Sequence, residues 1–188
     1  MKIKALLSVA ATLVLGTTTL LADKYVVDPS HSNIGFKVKH LMISNVTGNF
    51  SSFQGSYEIE DGKLTMLEGT VDVATIDTGI EKRDNHLKSA DFFLSAKFPH
   101  ITFKMKEFKG DKVTGDLTIR DVTKTVTLDA EVSQAIKDPW GNMRTAMTLE
   151  GKINREDFGL TWNKALETGG VVVGETVKLE IELEGISK

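Results

Sequence analysis

Beyond residue 23 the chain alternates apolar and polar residues in short runs. Between Asn33 and Leu41, Ile34, Phe36 and Val38 fall on one side with His40, and Lys37 and Lys39 on the other. Period two of this kind marks a half-buried strand. A second run, Val46 to Glu60, places Phe50 and then Phe53, Gly55, Tyr57 and Ile59. Its change of parity at Ser51-Ser52 predicts a bulge or bend inside one long strand. Asp61-Gly62 is a tight hairpin signal before the run of Leu67, Val71 and Val73.

The alternation then stops. Thr78-Gly79-Ile80-Glu81 has the form of a capping box, predicting a short helix over Glu81 to Lys88 with Phe92-Phe93 in the turn behind it. After Pro99, period two returns with Ile101, Phe103 and Met105, then Val113, Leu117 and Ile119, then Val126, Leu128, Ala130 and Val132. Asp138 to Asn142 is a dense turn cluster. Met147, Leu149 and Ile153 follow, and Val177, Leu179, Ile181 and Leu183 alternate with charged residues in the clearest run. The pattern predicts eight strands in sequential hairpins with one helical insert between strands 3 and 4. Such strands bury their apolar face in a sandwich or in a closed up-and-down barrel. An eight-stranded barrel is just wide enough to be filled by side chains or to hold one small ligand.

Composition narrows the function classes. With 188 residues, 40% hydrophobic and 26% charged, the chain suits one globular domain and lacks the composition of a disordered one. A formal charge of −3 argues against a nucleic-acid partner, which needs a basic footprint. The absence of cysteine excludes a disulfide scaffold and thiol chemistry. Residues 1–22 open with Lys2 and Lys4, continue as an apolar run from Ala5 to Leu15, and end at Ala22. This is the layout of a secretory signal peptide cut after Ala22, leaving 23–188 as the mature domain. The alternative is a retained anchor, because Leu20 is large for the −3 position. Export without cysteine fits a bacterial envelope compartment.

An ordered set of short motifs resembles the YceI family of bacterial envelope proteins. The set includes Tyr25 to Asp28 with His31-Ser32, Gly48 with Phe50, and Thr78-Gly79. It continues through Arg83-Asp84 with His86-Leu87, Asp91-Phe92-Phe93, Phe98-Pro99, Gly115 to Ile119, Ile153-Asn154-Arg155 and Asp157-Phe158-Gly159. The resemblance spans nearly all of the mature chain; Asp121, where many relatives carry glycine, touches only a turn. It implies an all-β, eight-stranded antiparallel lipocalin-like barrel with the helical insert closing one end. It further implies a periplasmic, non-enzymatic carrier of a long-chain amphipathic lipid, a polyisoprenoid, an isoprenoid quinone-like molecule or a fatty acid or amide, with a homodimer as the expected assembly. Transient contact with a membrane or lipid donor would follow, and no cofactor or metal is expected.

The parity of the strands assigns an apolar lining to such a carrier. It consists of Phe36, Val38, Phe103, Met105, Met147 and Leu149, with Phe50 and Phe53 at the bend and Phe92 and Phe93 after the helix. Rings and thioethers adapt to a flexible hydrocarbon. At roughly 0.8 kcal/mol per buried methylene, a tail of about fifteen carbons offers on the order of 10 kcal/mol before ordering costs. Taken singly, each of these residues reads first as ordinary core; as a set, on a barrel resembling a lipid-carrier family, they point to a cavity. His40, on an apolar face, reads as a core or cavity histidine. Arg83, Asp84 and His86 read either as a polar clamp for the lipid headgroup or as a network tying the helix to the strands, for example through Arg155 or Asp157. Asp84 has Lys88 as a further i,i+4 partner. Trp162 is a candidate cover for an opening. The four histidines lack zinc-site spacing, although three gathered at one barrel mouth would make a metal site. Two competing readings stay open: a packed, stress-protective barrel, and a lipid-modifying enzyme using His86 and Asp84 as acid and base.

Overall fold

The computed structural model describes residues 23–167 and 169–187. The expected signal peptide, 1–22, lies outside them. The described strands are β1 (Asp23–Val27), β2 (Asn33–His40), β3 (Ser44–Phe50), β4 (Phe53–Glu60), β5 (Lys63–Asp72), β6 (Ile76–Asp77), β7 (His100–Lys109), β8 (Lys112–Ile119), β9 (Val122–Val132), β10 (Ile136–Lys137), β11 (Met143–Asn154) and β12 (Val173–Ser187). Helix α1 (Glu81–Lys88) sits between β6 and β7.

Four pairs of these strands occupy one barrel position each: β5 with β6 beside β4 and β3, β9 with β10 beside β11, and the two pairs β1–β2 and β3–β4. β1 and β2 run one after the other along the same edge of β12, and β3 and β4 follow one another beside them. The step between β1 and β2 is a 3-10 turn, Pro29–His31, capped by Asp28, whose carboxylate accepts the Ser30 N–H at 3.0 Å. The bend between β3 and β4 falls at Ser51-Ser52, where the parity change placed it. Each neighbour then pairs antiparallel with the next, and β11 pairs with β12 from Met143↔Ser187 to Asn154↔Thr176 to close the ring. The result is a closed eight-stranded antiparallel barrel with one short helix between its third and fourth positions.

Local chemistry explains the connections. Asp61 and Gly62 both take left-handed backbone angles, φ 50° and 74°, the geometry of a two-residue hairpin turn that follows the strands' twist. Asp138 organises its turn by accepting the N–H groups of Trp140 and Asn142, each at 2.9 Å. The capping-box expectation needs correction. The residue flanking α1 is Ile80, and no side chain caps the helix. Thr78 lies two residues too early, and its N–H and hydroxyl instead donate to Asp84.

One half of the barrel is solid. Tyr25 and Tyr57 stack at 5.3 Å between ring centres, beside Val113, Leu128 and Met147, all buried. The Tyr57 hydroxyl donates to the Thr145 carbonyl at 2.8 Å, which satisfies its polar end in an apolar setting. That burial pushes its pKa well above the ordinary tyrosine range. The other half, under α1, is where the interior opens.

Candidate binding cavity

Between the tyrosine-packed end and the helix lies a cavity of about 200 Å³ walled almost wholly by apolar side chains. The interior is therefore not filled throughout, as a packed barrel would require. Its walls come from every barrel position, because the inward parity of each strand is apolar at this level. β12 contributes Val177, Leu179, Ile181 and Leu183, and β8 contributes Leu117 and Ile119.

Two devices make the space. The first is the pairing of rings with glycines. A Cβ on Gly48 would lie 2.5 Å from the Phe36 ring, and one on Gly115 would lie 2.5 Å from the Phe103 ring. Each ring lies over the glycine of the neighbouring strand, in the place a side chain there would take. The second is Gly55 facing Gly69 in register. Both take the inward parity of Tyr57 and Leu67, so two adjacent lining positions carry no side chain.

The lid is α1 and the turn after it. Leu87, Phe92 and Phe93 face the cavity, and Phe93 meets Phe50 edge-on at 6.3 Å. Thr78 ties the helix to the end of β6. The Arg83 Nε donates to its hydroxyl and an Nη to its carbonyl, both at 2.7 Å, while Asp84 accepts its N–H at 2.9 Å. On the outer side, His86 stands edge-on to Phe92 at 5.1 Å and to Trp162 at 4.8 Å, and bonds Asp91 at 2.8 Å. The neighbouring wall is fixed by Arg155, which is buried and lines the cavity. Its guanidinium donates to the carbonyls of Gly174, Leu160 and Val173 and to Glu156. Burial lowers its pKa, yet an arginine keeps its charge at neutral pH.

Of the residues expected from sequence, Phe36, Val38, Phe50, Phe53, Phe92, Phe93, Phe103 and Leu149 line the cavity. The others do not. Met147 and Met105 pack with the solid end, where the same inward parity continues below the void. His40 ends β2 opposite the lining residue Val173 but does not itself line the cavity. Arg83 and Asp84 are engaged with Thr78, not with Arg155, Asp157 or Lys88. His86 and Trp162 stack outside Phe92. Asp84 and His86 have separate partners, so they do not form an acid–base pair with each other.

Sequence reasoning missed Arg155 as a lining residue and Gly69 as a source of space. The β12 residues carried a clear signal, an unbroken alternation, that belonged in the lining set. The histidines do not converge. His31 does sit with Asp28 and Glu184 as a three-residue cluster on the barrel wall, but the Arg144 guanidinium already bonds both carboxylates there.

The comparisons with known proteins bear on this geometry. The description of the YceI-like domain matches residues 25–185, which includes every cavity-lining residue. The chain belongs to the YceI family. A UPF0312 protein of Staphylococcus aureus is 42% identical over 160 residues, covering 84% of this chain and 94% of that one. The crystal structure of the Campylobacter jejuni YCEI protein is similar with a TM-score of 0.69 at 36% identity, covering 86% of this chain and 96% of that one. At 16% identity and a TM-score of 0.62, a polyisoprenoid binding domain from Saccharophagus degradans shares the fold over 87% of this chain and 98% of that one. The YceI barrel therefore frames the cavity, the lid and the solid end alike.

Proposed function

We propose that this protein binds one long-chain amphipathic lipid of the polyisoprenoid or isoprenoid quinone-like class, with its tail in the cavity, and carries or sequesters it without chemical conversion. The observation behind this reading is a closed barrel with a void at one end whose walls are mostly apolar and come from every barrel position. A void of this kind is unfavourable unless something occupies it, since close packing is the norm of protein interiors. The naming of the Saccharophagus degradans neighbour as a polyisoprenoid binding domain supports the ligand class.

At about 200 Å³ the void is small beside drug-sized ligand sites of roughly 300–1,000 Å³. A long tail would thread it and displace the lid residues Leu87, Phe92 and Phe93. Arg155, held to the Val173 carbonyl at the lid end, is then a charged group near the outer part of the ligand, and the lid's polar ties at Thr78 stay outside. The reading includes export to the periplasm, removal of residues 1–22, and assembly as a homodimer; light scattering of the purified protein measures the last. Extraction of the purified protein with organic solvent, followed by mass spectrometry, tests the binding reading. One lipid class recovered reproducibly in near-equimolar amount is expected. Solvent extracts without lipid, from a folded protein that also takes up no added isoprenoid, would overturn it.

A further inference from the structure

The hairpin joining β2 to β3 ends in Leu41-Met42-Ile43, and these apolar side chains are 37%, 53% and 82% exposed. Leu41 and Met42 both hold left-handed backbone angles, φ 51° and 63°, which glycine or asparagine ordinarily supplies. Such a turn spends conformational energy on presenting large apolar side chains to solvent, the reverse of what folding alone favours.

The place of the tip matters. It lies at the cavity end of the barrel, beyond Phe36 and Val38 on the same strand. The Leu41 N–H donates to the Val172 carbonyl at 2.8 Å, and the next residue, Val173, lines the cavity. The Met42 side chain lies beside Gly170 in the adjoining segment, where a Cβ would meet it at 3.0 Å. An apolar path thus runs from the exposed tip to the cavity wall.

We infer that this tip is a membrane-docking finger that dips into a lipid bilayer and brings the cavity mouth to the lipid surface. The inference rests on the lipid-binding reading above. A second copy of the chain fits less well, because a stable dimer needs roughly 800 Å² and 20–30 residues from each partner. Three side chains on a narrow, convex tip do not supply that area, whereas a fluid interface accepts a small apolar wedge and holds it reversibly. The tip is flanked by Lys39 and Lys164 on one hand and by Glu167 and Glu175 on the other, all exposed. Its charge is mixed, so the docking is driven by apolar insertion and depends little on salt.

The lack of cysteine makes the test clean. A nitrobenzoxadiazole dye is placed on Met42→Cys and, as the control, on Trp140→Cys, which marks the exposed turn at the opposite end of the barrel. Each labelled full chain is mixed with phosphatidylethanolamine–phosphatidylglycerol vesicles. Dye on the tip is expected to shift to the blue and brighten, while dye at position 140 stays in water. In parallel, Met42→Asp with Ile43→Asp is expected to slow uptake of a fluorescent isoprenoid from those vesicles by about tenfold or more. Its uptake of the same isoprenoid from cyclodextrin, which needs no bilayer, should be unchanged. An unshifted tip, equal shifts at both ends, or unslowed vesicle uptake by the double variant would overturn the docking role and leave lipid binding standing. A wild-type chain that takes up isoprenoid from neither source would overturn lipid binding itself and the docking role with it.

Discussion

Gly69→Leu tests how the void is made. Gly69 lies on β5 between the buried residues Leu67 and Val71 and lines the cavity, and its partner across β4 is Gly55. A Cβ at position 69 would meet only the Gln54 carbonyl oxygen, at 3.5 Å, which is ordinary contact. Leucine there would place four carbons in the space of the lipid tail. If they displace about four methylenes at roughly 0.8 kcal/mol each, lipid affinity falls by about 3 kcal/mol, or about a hundredfold. Stability moves the other way. Replacing an interior strand glycine and filling apolar space adds about 1 kcal/mol or more, which raises Tm by about 2–4 °C in a chain of this size. Gly55→Ala is the contrast. Its Cβ would sit 2.7 Å from the Glu68 carbonyl oxygen, which belongs to backbone, so that variant is expected to lose about 1–3 kcal/mol of stability. A competition titration with a fluorescent isoprenoid, paired with thermal melts, reads both quantities. Wild-type affinity in a folded Gly69→Leu barrel would refute the reasoning, because the tail would then lie elsewhere.

Three further outcomes follow from the same contacts. Tyr57→Phe leaves the Thr145 carbonyl without its hydroxyl donor and should cost about 1 kcal/mol in a urea melt, with lipid binding unaffected because the pair lies in the solid end. Thr78→Val takes the hydroxyl from between Arg83 and Asp84, so the lid loosens and lipid dissociation measured by stopped flow should be several-fold faster. The hydrogen bond from Arg144 holds the Asp138 carboxyl far below the usual range, and the bond with His31 lowers that of Asp28. A depressed carboxylate pKa stabilises the fold above the unfolded value near 4, and that contribution is lost as pH falls through the folded value. Stability should therefore decline below about pH 4, and Asp138→Asn should be weaker at pH 7 with a shallower acid slope in denaturant melts between pH 2 and 7.

The barrel was legible because its strands face water on one side and an apolar interior on the other, so parity alone marks the inward set. Even the bend at Ser51-Ser52 showed as a change of parity. Parity is silent, however, on depth along the barrel axis. Phe103 and Met147 share an inward parity, yet one lines the void and the other is packed under it, since Tyr25 and Tyr57 fill only one end. The lid residues are a different case, because the helix is tied to the strands as one of their two readings had it, but through another partner. Arg83, Asp84 and His86 looked like a unit because they are near in sequence, whereas the fold sends the first two to Thr78 and the third to Asp91 and Trp162. Arg155 was hidden because burial of an arginine depends on carbonyls up to nineteen residues away, at Gly174. Gly69 carried the least signal of all: a glycine in a strand pattern announces a missing side chain but not the space left by it.

The central claim is that the tail occupies the void between the tyrosine pair and the lid. A crystal structure of the protein loaded with an isoprenoid brominated at its tail end locates that tail directly through the anomalous signal of bromine. A bromine peak is expected inside the barrel among Phe36, Phe103, Leu149 and Ile181, with Phe92 and Phe93 shifted outward. A peak on the outer surface, with the interior unchanged, would contradict that claim.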